Sequence, residues 1–385
     1  MSTNIQILGL IIKSTRRCNL RCSYCHDWRS RGTPMSFEVL ATLTAKALRP
    51  SEHRRVDFIW HGGEPLLLGR EFYLKALCLQ QEFRQDGQVI RNSLQTNGTL
   101  LDNAWCEFFK EHGFHIGVSI DGPEPLHNMN RVYASSRGSF AEVRRGISLL
   151  QDHEIPFGVL MVVNHEALKL NPERIFHFFL DDLGVKTVAF LPVRPDNVLG
   201  AGEVPTTDYI TPSEYCAFMK RIFDLWYELD DPSIRIRELT SILSAIVGGT
   251  VSVCTLAGHC LGQYFHVEPS GDLYHCDKFL GDPDYRVGNI LEDTFRNIRG
   301  SGHFQTLVSE EAKRLAVLER CPWFRICHGG CPHDRYIAMK YLPGFDGTCC
   351  GQRDLIEHMY QNVKDDLNRV AVLTTGAAVW PGVEA

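Results

Sequence analysis

Along the first half of the chain, short apolar and β-branched runs alternate with stretches whose apolar residues recur at helical spacing. Gly9–Ser14, Val56–Trp60, Asn92–Thr96, His115–Ile120, Phe157–Val163 and Thr187–Val193 read as strands. Between them, Phe37–Leu48, Phe72–Phe83, Ala104–Glu111, Phe140–Gln151 and Glu173–Leu183 set apolar residues three and four apart, the mark of a helix with one buried face. Ser36 precedes the first of these, where a side-chain acceptor can serve the free N–H groups of the first turn. Strand–helix alternation builds parallel βαβ units, and six are too few for a closed eight-stranded barrel. The expected fold class is α/β, an open, partial (β/α)6 barrel of the TIM type. Active sites of such barrels lie at the C-terminal ends of the strands, where this chain's unusual residues fall.

After Val193 the pattern changes. Arg194–Thr211 is rich in Pro, Gly and Asp and reads as a loop over the barrel mouth, and Pro212–Glu228 reads as a helix. Cys254 to Cys350 holds eight of the 14 cysteines. The expected units are 1–230, the barrel; 231–351, a cysteine-rich domain; and 352–385, a C-terminal helix and tail. Val372–Ala385 is rich in Gly, Ala, Thr and Val and reads as loosely ordered.

Composition narrows the class. A net charge of −6 gives no basic surplus for nucleic acid. No apolar run reaches the roughly 18 residues of a membrane span. Met1-Ser2-Thr3-Asn4 lacks the basic start and cleavage site of a signal peptide. The expectation is a cytoplasmic protein, in which clustered thiols are metal ligands rather than disulfides.

The first cluster is Cys18, Cys22 and Cys25, spaced C-x3-C-x2-C directly after the first apolar run. Three thiolates can hold three irons of a 4Fe–4S cluster and leave the fourth iron open. Three of four zinc ligands, or unconnected buried thiols, fit the same residues. The stretch resembles the signature of radical SAM enzymes. That resemblance implies S-adenosylmethionine (SAM) on the open iron, its reductive cleavage to a 5′-deoxyadenosyl radical, and hydrogen abstraction from a substrate. Trp60-His61-Gly62-Gly63-Glu64-Pro65 matches the family's GGEP-type motif. Paired glycines let backbone approach a ligand closely. The resemblance places Gly62, Gly63 and Glu64 at SAM, with the Glu64 carboxylate accepting from the methionine ammonium; a Gly-Gly turn with a solvated Glu is the plain alternative. Gln95-Thr96-Asn97-Gly98 and Ser119-Ile120-Asp121-Gly122-Pro123 look like the polar strand ends that line the SAM pocket. By resemblance Asn97 lies there, Ser119 meets the ribose region and Arg131 reaches the SAM carboxylate or ribose, for which a guanidinium fork is suited. Tyr24 is expected near the adenine and Leu191 in the adenine pocket, although simple packing explains both residues too.

A second pattern, Cys254-x5-Cys260, Gly271-x4-Cys276, Cys321-x5-Cys327-x3-Cys331 and Cys349-Cys350, resembles the SPASM domain of radical SAM peptide-modifying enzymes. The resemblance implies one or two auxiliary Fe–S clusters. Cys254, Cys260, Cys276 and Cys331 would hold the first; Cys321, Cys327 and either Cys349 or Cys350 the second. The family spacing puts one more cysteine at position 318, where this chain has Leu318. Both Cys349 and Cys350 ligating (sterically awkward for neighbours), a non-cysteine ligand such as His328 or His333, and an open iron all remain possible readings. Cys78, Cys106 and Cys216 sit in helical segments and read as core or surface thiols.

Asp277 follows Cys276 directly. In anaerobic sulfatase-maturating enzymes, which this chain resembles, an Asp at that place is the proposed base, and a carboxylate near the substrate suits that task. A turn residue or a partner of Lys278 is the structural alternative. Pro192-Val193-Arg194-Pro195-Asp196-Asn197 and Cys276-Asp277-Lys278-Phe279 resemble ribosomal-peptide maturases more closely, among them cyclophane-forming enzymes. The leading expectation is therefore a carbon–carbon cross-link between an aromatic side chain and a nearby residue. The alternative is oxidation of Ser or Cys to formylglycine. Either needs a peptide or protein substrate and an external one-electron reductant of the flavodoxin or ferredoxin type, with no nucleic acid and no membrane. Only 17 residues precede Cys18, no room for a leader-binding module, so the barrel mouth, the loop after Val193 or a partner would hold the peptide. Glu203, Asp208, Glu214, Asp230 and Asp231 bias that region toward a basic peptide, or are simply a solvated face. A non-catalytic Fe–S or zinc protein is the competing class; it needs no SAM pocket.

Overall fold

The computed structural model describes residues 6–25, 27–29, 32–50, 53–194, 209–249, 251, 253–258 and 260–375. Strands β1 (Ile7–Thr15), β2 (Arg55–Gly62), β3 (Val89–Thr96), β4 (His115–Ser119), β5 (Phe157–Val163) and β6 (Thr187–Pro192) coincide with the six apolar runs. All pair in parallel, in chain order. Parallel strands are covered on both faces, which is why they are near-continuously apolar. Helices Phe37–Leu48, Gly69–Phe83, Asn103–His112 and Phe140–Asp152 fill the expected connections. Ser36 caps the first, its Oγ accepting from the Val39 N–H at 3.2 Å. The segment read as Glu173–Leu183 is an α-turn, Pro172–His177, that widens into a π-turn over Phe178–Asp182.

The sheet does not stop at β6. The short β7 (Arg235–Ile236) adds to it in parallel, and β8 (Tyr264–Val267) adds in parallel to the other edge, against β1. β9 (Asp272–Tyr274) and β10 (Arg286–Asn289) extend that edge antiparallel, giving the order β10-β9-β8-β1-β2-β3-β4-β5-β6-β7. The cysteine-rich region thus continues the barrel sheet. Gly9 permits this junction: a Cβ there would lie 2.3 Å from the Tyr264 ring.

Two further expectations change. Val372 to Thr375 is helical, in Leu367–Thr375, because Val370 and Leu373 bury one face three residues apart; residues 376–385 lie outside the described residues. Of the loop Arg194–Thr211, residues 195–208 lie outside the description too, with Pro195, Asp196, Asn197, Glu203 and Asp208. Its ends are anchored: Arg194 donates to Asp334 Oδ1 at 3.2 Å and to the Ile210 carbonyl at 3.1 Å. The remaining acidic residues there have local work. Glu214 forms a capping box with Thr211 on the helix Pro212–Leu229, Asp230 accepts from Arg369, and Asp231 accepts from the Ser233 N–H. Among the described residues, no helix is long and apolar enough to cross a membrane.

Candidate active site

The Cys18–Cys25 loop leaves the C-terminal end of β1 and is pinned on every side. Lys13 and Asp27 form a buried ion pair at 2.5 Å beneath it. The Arg21 and Ser23 N–H groups donate to the Val132 and Asn130 carbonyls at 2.7 and 3.0 Å. Burial pushes the Cys18 thiol up to about 12 and the Cys25 thiol up to about 11, and raises Cys22. Neutral thiols are therefore what the protein alone favours, and bound cations are what would make them thiolates. Sulfur acceptors are already served: Leu20 N–H donates to Cys18 Sγ at 3.3 Å and Asn97 Nδ2 at 3.8 Å.

The two glycines of the β2 end face this loop. Gly62 has φ 140°, and a Cβ there would sit 2.3 Å from the Thr15 carbonyl oxygen. A Cβ on Gly63 would sit 2.2 Å from the Arg17 carbonyl oxygen. The close approach that the Gly-Gly pair grants is thus made to the chain's own cluster loop, sealed by Gly63 N–H to Thr15 O (2.7 Å) and Glu64 N–H to Arg17 O (2.8 Å). Glu64 is fully buried. Its carboxylate accepts from Thr96 Oγ1 (2.7 Å), Asn97 N–H (2.7 Å) and Leu66 N–H (3.0 Å). Burial pushes this carboxyl up to about 7 against those hydrogen bonds. The carboxylate expected at the SAM ammonium also clamps the ends of β2 and β3 together. Asn97, held by it, reaches Asn19 Oδ1 at 2.9 Å.

Asp121 is the residue of this end that the sequence motif contained without assigning a task. It is fully buried, and its carboxylate accepts from Arg131 Nε (2.9 Å), Tyr24 Oη (2.5 Å) and Val162 N–H (3.1 Å). Burial would lower the Arg131 pKa; Asp121 outweighs it and keeps the guanidinium charged. Arg131 also lies over the Tyr24 ring at 5.6 Å. Arg131, Tyr24 and Asp121 are one buried unit. Ser119 Oγ, at the β4 end, accepts from Gln95 Nε2 at 2.9 Å, and Gly117 leaves room for that amide.

A cavity of about 180 Å³ opens between the strand ends and the cysteine-rich region. Ile11, Ile59, His61, Ser93, Gln95 and Leu160 line it from the sheet; Cys254, Cys260, Cys276 and Cys331 line it from the opposite side. Four cysteines far apart in sequence thus face one space, a donor set that fits a 4Fe–4S cluster. Burial raises all four thiols, to about 11 for Cys254. Among the described residues no three His, Cys, Asp or Glu side chains converge as a single metal ion requires. Zinc needs its donors about 2.3 Å from one point, whereas a cluster takes each thiolate on a different iron.

Asp277 faces the same cavity. Burial would raise its pKa, but His266, His61, the Cys276 S–H and Lys278 outweigh that and hold it below the ordinary carboxylate value. Lys278 is not its ion-pair partner: Lys278 Nζ donates to Asp334 Oδ1 at 3.1 Å and toward Cys331 Sγ at 3.7 Å. His61 was not singled out from the sequence. It lines the cavity with its Nδ1 buried and without a hydrogen-bond partner, and burial lowers its pKa. The signal was available, since inward-facing strand positions alternate and Ile59 and His61 share a face. Leu191 lines an adjoining cavity with Arg194, Lys278, Asp334 and Cys350.

Of the remaining cysteines, Cys327 is buried, and the sulfurs of Cys349 and Cys350 accept from the Gly351 and Gln352 N–H groups at 3.4 and 3.3 Å. Leu318 is buried against Gly329. Cys321 begins the turn after it, its N–H donating to the Leu318 carbonyl at 2.9 Å. His328 Nδ1 is 2.7 Å from the Leu256 carbonyl oxygen. Cys78 is exposed, Cys106 buried, and Cys216 donates to the Gly351 carbonyl at 3.3 Å.

Residues 12–169 match the family model of the radical SAM superfamily, and 254–332 that of an iron–sulfur cluster-binding domain, SPASM. The chain is 32% identical to a cysteine-type anaerobic sulfatase-maturating enzyme of Clostridium perfringens, over 94% of this chain and 99% of that protein. It is 31% identical to a serine-type enzyme of Bacteroides thetaiotaomicron, over 89% and 86%. The solved structure of native anSMEcpe with bound AdoMet and a Cp18Cys peptide superposes with a TM-score of 0.83 at 30% identity, covering 94% of this chain and 99% of that one. SuiB of Streptococcus suis, bound to its precursor peptide SuiA, shares the fold at a TM-score of 0.57, with 14% identity over 86% and 73%. The chain belongs to the radical SAM/SPASM enzymes related to the anaerobic sulfatase-maturating enzymes, with SAM, a 4Fe–4S cluster and auxiliary Fe–S clusters as its cofactors.

Proposed function

We propose that this enzyme oxidises the β-carbon of a cysteine or serine in a peptide or protein substrate, giving formylglycine. The leading expectation from the sequence, a cyclophane cross-link, is displaced by its own alternative. The observation that carries the change is similarity over 94% of the chain to an enzyme that acts in sulfatase maturation. The two short segments that favoured a cross-linking enzyme cover far less of it.

Cys18, Cys22 and Cys25 would hold the 4Fe–4S cluster that binds SAM, and Cys254, Cys260, Cys276 and Cys331 an auxiliary cluster. These groups supply, when bound, the radical that removes a substrate hydrogen atom and a sink for the electron that leaves afterwards. The chain's own residues do the rest. Gly62, Gly63, Glu64, Asn97, Ser119, Tyr24 and Arg131 would line the SAM site, with Leu191 on its adenine side, and Glu64 and Asp121 also fix Asn97 and Arg131 from behind. Asp277, ionised and facing the cavity, takes the proton that the oxidised substrate must release from its S–H or O–H. Ile11, Ile59 and Leu160 keep that space apolar, so the substrate carbon reacts away from water. The division into 1–230, 231–351 and 352–385 is one of tasks: radical generation, electron acceptance and support. A flavodoxin- or ferredoxin-type reductant completes the cycle.

The test uses anaerobically purified enzyme, SAM, a reductant and two synthetic peptides, one with a central cysteine and one with serine. A product aldehyde captured by a hydrazide is expected from at least one. Loss of two hydrogens with nothing captured would restore the cross-linking reading.

A further inference from the structure

The second auxiliary site departs from the family spacing at Leu318, and the structure offers a replacement on the other side of the same turn. Gly329 and Gly330 connect Cys327 to Cys331. A Cβ on Gly329 would lie 3.1 Å from Leu318 Cδ1, and a Cβ on Gly330 would lie 2.9 Å from Cys350 Cβ. Position 318 and Cys350 therefore flank one glycine pair, both within contact of the chain that carries Cys327. At 318 that contact is apolar and closed, with Leu318 only 2% exposed.

Cys350 carries the local geometry of a ligand. Gln352 N–H donates to its sulfur at 3.3 Å, and Gly351 N–H donates to Cys349 Sγ at 3.4 Å. The same donor two residues on serves Cys18, from Leu20 N–H at 3.3 Å, in the loop that holds the SAM cluster. Charge on sulfur is what such donors stabilise. The helical thiols differ: buried Cys216 is itself the donor, to the Gly351 carbonyl. The extra cysteine also stands beside the turn that carries Cys327, because Cys350 packs against Gly330, whose N–H donates to the Cys327 carbonyl at 2.7 Å.

We propose that Cys350 is the fourth thiolate ligand of the second auxiliary cluster, with Cys321, Cys327 and Cys349, replacing the ligand absent at Leu318. The site is then fully protein-ligated and holds its cluster without an open iron. This rests on the iron–sulfur character of the SPASM region and not on the formylglycine reading, so iron counts test it whatever the substrate.

The experiment starts from a chain with Cys18, Cys22 and Cys25 replaced by Ala, which keeps only auxiliary iron, about 8 atoms for two 4Fe–4S clusters. Cys350→Ala in that background is expected to fall clearly below this value and to show a three-iron EPR signal after mild oxidation. Adding Leu318→Cys to Cys350→Ala is expected to restore iron and spectrum, which also shows that the variant folds. Cys78→Ala, at an exposed thiol of the helix Gly69–Phe83, is expected to change neither. Full iron with an unaltered spectrum in Cys350→Ala overturns the proposal. So does an iron loss that Cys78→Ala reproduces, or one that Leu318→Cys fails to reverse.

Discussion

Replacing Gly63 by Ala should uncouple the cluster loop from the barrel. The added Cβ would stand 2.2 Å from the Arg17 carbonyl oxygen and 2.6 Å from its carbon. Both are backbone atoms and cannot swing aside, so the β2 end and the loop must part by about 1 Å to reach ordinary contact. The hydrogen bonds Gly63 N–H to Thr15 O and Glu64 N–H to Arg17 O, 2.7 and 2.8 Å long, would stretch beyond bonding range. At about 0.5–1.5 kcal/mol for each bond, and more for buried groups left unpaired, the cost is roughly 2–4 kcal/mol. Because Arg17 adjoins Cys18, the strain falls on a cluster ligand. Iron and sulfide content, 5′-deoxyadenosine formation and thermal unfolding of anaerobic protein are the assays. Expected are a lowered melting temperature, loss of about 4 irons per chain and loss of nucleoside formation. Gly302→Ala is the control, since a Cβ there meets nothing within 4 Å and a helix start gains from the change. If Gly63→Ala keeps full iron and turnover, the glycine pair does not serve the loop as argued.

Three more outcomes are expected. Glu64, with its carboxyl pushed up to about 7, binds its proton more tightly when folded than unfolded, so its contribution to stability falls as pH rises from about 4.5 through 7. Of a total near 3 kcal/mol, about 1.4 kcal/mol should be lost between pH 6 and 8.5. Glu64→Gln should remove that slope while adding a pH-independent cost of about 1–3 kcal/mol, because its NH₂ confronts the Asn97 or Leu66 N–H; urea titrations across pH that keep the slope would refute the assignment. Asp121→Asn strips a buried guanidinium of its counter-charge and should cost about 3–5 kcal/mol and weaken SAM binding in equilibrium dialysis; a native-like melting temperature would contradict the buried unit of Asp121, Arg131 and Tyr24. Asp277→Asn should leave 5′-deoxyadenosine formation running while the aldehyde product falls by roughly 10²–10⁴-fold; unchanged product would return Asp277 to a structural role.

Sequence periodicity determined the six parallel strands and most of their helices, because alternation of apolar runs with three–four spacing depends on local burial alone. The cysteine spacings, read with Gly62-Gly63-Glu64, determined the chemistry, since ligand type and spacing are local properties too. Tertiary structure decided what depends on residues distant in the chain. It joined β8 to β1, a pairing of residues more than 250 apart that a four-residue apolar strand cannot announce. It set the Gly-Gly pair against the cluster loop and gave Glu64 its clamping hydrogen bonds, because only the packed register sets Gly63 against Arg17. It gathered Cys254, Cys260, Cys276 and Cys331 around one cavity with His61 and Asp277, and set Leu191 in the next. It also set Cys350 against Gly330, in the turn after Cys327, which sequence leaves open because spacing cannot say toward which side two adjacent side chains turn.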